Sequence, residues 1–157
     1  MTHDLQQILI DNAASLERIA RRYAGPNDWQ DLLQEITVNL WRGLDRFEGR
    51  SALSTWVYRV AVNTALSHVR KKPLPVLAGS GELAEKRPTA IHPGDQLAVL
   101  EQFLESLDPV NRAVLLLDLE GLHRDEVADV LGLSPGAVAV RMTRLKERFT
   151  REFLEAA

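Results

Sequence analysis

DEVADVLGLSPGAVAVRMTRLKERF, residues 125–149, is the stretch that decides the fold. Its apolar residues recur every three or four positions on both sides of a short break, the spacing of two amphipathic helices. Gly132 suits the left-handed conformation that ends the first helix, and Ser134 suits the cap of the second. Pro135 falls in the first turn, where a missing N–H does no harm. Ala128 is small enough to let the helices cross closely, and Val138 falls in the angle between them. The spacing predicts a helix-turn-helix, whose second helix enters the major groove of DNA. A plain helical hairpin packed into a bundle uses many of the same residues. One position is off pattern: His123 stands where a Ser, Thr or Asp cap is expected.

In the second helix Val138, Met142, Leu145 and Phe149 follow core spacing, while Ala137, Arg141, Arg144 and Arg148 occupy a neighbouring face. An arginine there can donate two hydrogen bonds to a guanine edge or pair with a phosphate, and Ala137 or Val140 can touch a thymine methyl. The same arginines can instead form a solvated face with Glu147 and Glu152. Two features oppose a DNA reader: the run Ala137–Val140 is apolar, and the chain has a net charge of −3. Residues 1–73 carry ten Lys and Arg against eight Asp and Glu, residues 74–95 two against three, and residues 96–157 seven against eleven. The half with the helix-turn-helix is thus the more acidic, which disfavours tight DNA binding by that half alone.

Working outward, strand signals are almost absent and an all-α chain of 157 residues is expected. Leu5, Ile8, Leu9, Leu16, Ile19, Ala20 and Tyr23 form one stripe, ended by the breaker Gly25-Pro26. A second helix, capped by Asp28, carries Leu33, Ile36, Leu40, Leu44 and Phe47, and Ser51 caps a third that runs to about Lys72. From Pro73 to Asp95 prolines and glycines interrupt every period, which predicts a flexible linker. The 22 residues from 74 to 95 reach roughly 70 to 80 Å extended and average about 25 Å relaxed, allowing the flanking bodies to lie far apart. Leu97, Leu100, Leu104 and Leu107 mark a further helix, and Asp108-Pro109 opens another that stops at Gly121.

The chain has no cysteine, so neither a disulfide framework nor a thiolate zinc site is available. His3, His68, His92 and His123 show no metal-ligand spacing, and there is no Gly-rich phosphate loop and no nucleophile-base arrangement. No catalytic residue, metal or cofactor is expected. The N-terminus lacks the pattern of a secretory signal, and no apolar run approaches the ~20 residues that span a bilayer. A cytoplasmic location without membrane insertion is the expectation.

In the N-terminal half, DWQDLLQEITVNLW places Asp31, Gln34, Glu35 and Val38 opposite the apolar stripe, between Trp29 and Trp41. In FEGRSALSTWVYRVAVNTALSHVRKK, Leu53, Trp56, Val57, Val60 and Ala61 make the buried stripe, while Arg59, Asn63 and Arg70 line another. Basic groups with an amide and an aromatic loop suit single-stranded nucleic acid, and a basic helix end is the plainer account.

Together these segments resemble the extracytoplasmic-function class of bacterial sigma factors, over nearly the whole chain. DWQDLLQE with LW is similar to the region that grips the polymerase clamp, FEGRSALSTWVYRVAVNTALSHVRKK to the promoter-opening region, and the C-terminal segment to the family's helix-turn-helix domain. The resemblance implies two small helical domains, a three-helix-type bundle in 1–73 and a four-helix helix-turn-helix domain in 96–157, with 74–95 between them. It implies a factor, not an enzyme, that binds RNA polymerase core through its beta-prime and beta subunits and directs initiation at promoter DNA. Asp31, Gln34 and Glu35 then match contacts to beta-prime. Phe47, Gly49, Arg50, Ser51, Ala52, Leu53, Arg59, Asn63 and Arg70 match the surface for the melted downstream element. Pro135, Ala137, Val140, Arg141, Arg144 and Arg148 match the reader of the upstream element. A dedicated anti-sigma partner is implied as well. The rivals are a degenerate sigma-like interaction module that binds polymerase or a regulator without initiating, and a free helix-turn-helix repressor.

Overall fold

The computed structural model describes residues 3–71 and 95–154, and all regular structure among them is helical. One region comprises α1 (Leu5–Asp11), α2 (Ala13–Leu44) and α3 (Leu53–Lys71). The other comprises α4 (Gln96–Ser106), α5 (Pro109–Leu119), α6 (Arg124–Leu131) and α7 (Pro135–Phe149), followed by a π-helical turn at Thr150–Leu154. The segment expected to be a linker lies outside the described residues except for Asp95. That residue belongs to α4 as its cap, its Oδ1 accepting from Ala98 N at 3.1 Å.

The first stripe is two helices rather than one. They part at Asn12, which leaves helical geometry (φ −114°, ψ 10°) and whose side-chain amide donates to Ile8 O at 2.8 Å beside its own backbone N–H. Within α2 the expected breaker acts as a kink: Gly25 takes φ 75° and ψ −177°, and the helix resumes at once at Pro26, so Asp28 is not its cap. Beyond the kink the buried stripe is Leu32, Ile36 and Leu40, and Leu33 is only half-buried. These pack on Val57, Ala61, Val62 and Ala65 of α3. In the second region Phe103, Val114, Leu117, Val127, Val130, Val138 and Leu145 close the core, each large side chain adding about 1.5–3 kcal/mol of burial.

The two regions are in contact, not far apart. α3 packs against α5 and α6, and polar groups lace the boundary. Arg18 pairs with Glu120, which also accepts from Ser15 Oγ at 2.8 Å and Tyr58 OH at 3.2 Å. Arg22 pairs with Glu101 at 3.0 Å, and Arg59 with Asp129 at 2.7 Å. In all three pairs the arginine comes from the N-terminal region and the carboxylate from the C-terminal one. The acidity of the C-terminal half thus has a structural use in this seam. Tyr23 OH donates to Pro109 O at 2.8 Å, and Arg112 Nη1 donates to Arg22 O at 2.8 Å. Burial pushes the Tyr23 hydroxyl up and the Arg112 guanidinium down from their ordinary values.

Candidate nucleic-acid interface

The helix-turn-helix is built as its local chemistry requires. Gly132 ends α6 in the left-handed conformation (φ 69°, ψ 29°), and Ser134 Oγ accepts from Ala137 N at 3.1 Å to cap α7. Ala128 and Val138 are both buried where the helices cross. His123 also caps. Its Nδ1 accepts from Asp125 N at 3.3 Å, and Glu126 Oε1 accepts from His123 N at 3.2 Å, a capping box with imidazole in the place of a hydroxyl.

The apolar run in α7 divides between two sides. Val138 faces the core, whereas Val140 is 49% exposed and lines a groove of about 470 Å3 with Asn111, Ala137, Arg141, Arg144 and Arg148. Pro135 lies exposed at the start of the same helix. The arginines differ in what holds them. Arg141 Nη1 donates to Asn111 Oδ1 at 2.9 Å, while Arg148 is drawn back to Glu152 at 2.9 Å and lies over the Phe103 ring. Arg144 is exposed and makes no ion pair or hydrogen bond among the described residues. Arg141 and Arg144 therefore present guanidinium groups outward beside Val140, a combination able to meet guanine edges, phosphates and a thymine methyl.

The second set lies on the other region. Phe47 is half-buried against Trp56, with ring centroids 5.3 Å apart, and against His3 at 5.6 Å. Gly43 makes room for this stack, since a Cβ there would meet Trp56 Cζ2 at 3.1 Å. The loop turns at Gly49 (φ 76°), Arg50 pairs with Glu48 at 3.0 Å, and Ser51 and Ala52 lead into α3, which begins at Leu53. Asn63 and Arg70 are exposed on the same side of α3 as Arg59, which is held by Asp129 across the seam.

A third patch runs along α2. Asp31, Gln34 and Val38 are exposed, Trp41 is 63% exposed, and half-buried Glu35 lies 3.4 Å from His68 Nδ1. Trp29 is covered by Arg21, whose guanidinium carbon lies 4.0 Å from the ring centroid. Asn111 and Glu120 are the residues that sequence reasoning missed. Asn111 carries a local signal, three positions after the cap Asp108, but its approach to Arg141 bridges 30 residues. Glu120 gives no local signal at all.

Among the described residues no cluster of His, Asp or Glu could hold a metal ion, and no helix is long and apolar enough to cross a membrane. Residues 9–73 match the model for sigma-70 region 2, and residues 97–149 match the model for sigma-70 region 4. The ECF RNA polymerase sigma factor SigG of Mycobacterium tuberculosis (strain ATCC 25618 / H37Rv) is 34% identical over 151 residues, a match covering 78% of this chain and 41% of SigG. The chain thus spans less than half the length of that relative. The ECF RNA polymerase sigma-E factor of Escherichia coli (strain K12) is 31% identical over 144 residues, covering 82% of this chain and 75% of that protein. The solved structure of CnrH in complex with the cytosolic domain of CnrY superposes with a TM-score of 0.69 at 27% identity, covering 97% of this chain and 88% of CnrH.

Proposed function

This chain belongs to the extracytoplasmic-function class of the sigma-70 family, and on that premise we propose that it binds RNA polymerase core and directs initiation at a two-part promoter. The observation that carries the reading is α7: in a segment matching region 4, a helix capped at its N-terminus by Ser134 turns Val140, Arg141 and Arg144 outward. Members of the family are initiation factors and not enzymes, so the work is done by binding alone.

In this reading residues 1–73 form the core-binding and promoter-opening domain, 74–95 the linker and 96–157 the upstream reader. Asp31, Gln34 and Glu35 meet the beta-prime subunit, with Val38 and Trp41 adding exposed apolar area beside them. The loop Phe47–Leu53 and Asn63 take an unpaired base of the downstream element. Extruding that base costs a few kcal/mol, offset by hydrogen bonds and stacking in the protein pocket. Arg59 is paired with Asp129 through Nη2 and keeps its other N–H groups for the downstream element. An acidic C-terminal half suffices as a reader because core polymerase supplies further contacts, and tethering raises its effective concentration at the upstream element. CnrH was solved in complex with the cytosolic domain of CnrY, and for this chain too we propose a protein partner, an anti-sigma factor acting in the cytoplasm.

Equilibrium binding of the labelled chain to purified core tests the reading, and Asp31→Ala with Glu35→Ala should weaken it about tenfold or more. A free repressor would bind duplex tightly without core. A non-initiating module would bind core and never open a promoter.

A further inference from the structure

We propose that Asn111 is a positioning residue for upstream-element recognition: it orients the Arg141 guanidinium toward one base pair. The proposal rests on α7 being the upstream reader and adds a residue from a different helix to it. Asn111 lies in the first turn of α5. Its backbone N–H donates to Asp108 Oδ2 at 3.2 Å, its side-chain Nδ2 to Asp108 Oδ1 at 2.6 Å, and its Oδ1 accepts from Arg141 Nη1 at 2.9 Å. These contacts fix which way the amide points. The carboxylate can only accept and the guanidinium can only donate, so a flipped amide would set acceptor against acceptor and donor against donor. The cap of α5 thereby dictates an oxygen facing Arg141.

Arg141 gives one of its five N–H groups to this bond and keeps Nε and Nη2 for a ligand. A planar guanidinium held at one nitrogen has lost most of the rotamer freedom that binding would otherwise remove, and its remaining edge can make a bidentate contact to guanine O6 and N7. The neighbouring arginines are not set in this way. Arg148 is held through Nε by Glu152 and through Nη2 by Ser106 Oγ at 3.3 Å, and Arg144 has no partner among the described residues. Asn111 and Arg141 line the same groove as Val140, so the oriented guanidinium sits beside an apolar contact on the exposed side of α7.

The experiment is runoff transcription by holoenzyme on promoters carrying each base pair in turn at every upstream-element position, with core affinity measured in parallel. Asn111→Ala should lower discrimination at one position by about fivefold and leave core affinity unchanged. Arg141→Ala should abolish discrimination at that same position, and adding Asn111→Ala to it should have no further effect. Asn111→Ser, too short to reach Arg141, should reproduce the alanine variant and stands in for it if the alanine chain does not fold. Wild-type discrimination in the folded Asn111 variant, or an effect that adds to Arg141→Ala, overturns the positioning role. If Arg141→Ala changes discrimination nowhere, the assignment of Arg141 as a reader fails instead, and the two failures are separable.

Discussion

Replacing Glu120 measures what the seam between the regions contributes. The Glu120 side chain is 10% exposed and accepts from Arg18 through two nitrogens, from Ser15 and from Tyr58. Arg18 is 55% exposed and rehydrates when its partner goes, so that pair counts as a surface one, about 1 kcal/mol at most. With Glu120 gone, Tyr58 OH is free to donate to Ser15 Oγ, 3.1 Å away, and Ser15 to water, so the combined loss is also about 1 kcal/mol. Glu120→Ala should therefore destabilise the chain by about 2 kcal/mol at pH 7, measured by urea denaturation. The pH dependence has a definite sign. Hydrogen bonding from Arg18, opposed by burial, holds the Glu120 carboxyl below its ordinary value of 4.5. Its contribution is thus complete above pH 4.5 and disappears as the pH falls through the lowered folded value. Glu120→Gln should flatten that acid limb. Equal stability of wild type and Glu120→Ala at pH 7, with identical acid limbs for Glu120→Gln, would refute the seam as a source of stability.

Asn63→Ala should reduce promoter opening about tenfold, read by permanganate reactivity of the melted strand, while core binding is unchanged. Gly132→Ala should cost about 1 kcal/mol, because no atom lies within 4 Å of the added Cβ and only the left-handed backbone resists it; thermal denaturation reads this directly. His123→Ala should lose about 1 kcal/mol through the cap of α6, and His123→Ser should restore it in the same measurement.

Local chemistry was legible and distant chemistry was not. Gly132, Ser134 and Pro135 announced the turn because capping and left-handed backbone depend only on neighbours. Leu32 and Leu33 are both apolar and adjacent, so spacing alone does not choose between them, and α3 packing on α2 makes Leu32 the core residue. A helix that apolar spacing carries through is interrupted at Asn12, since that spacing does not register a polar side chain bonding to the carbonyl four residues back. The capping role of His123 was missed because an imidazole nitrogen replaces the expected hydroxyl or carboxylate oxygen. The charge imbalance between the halves was visible, but not its use. Arg18 and Glu120 lie 102 residues apart, and Arg59 and Asp129 70 apart, so only the fold pairs them.

Runoff transcription with purified core decides whether this chain is an initiation factor. Core with this chain should give a transcript from a promoter bearing both elements, neither component alone should, and altering either element should suppress the product. A chain that leaves core inactive on every fragment of its own genome, or never binds core, contradicts the account.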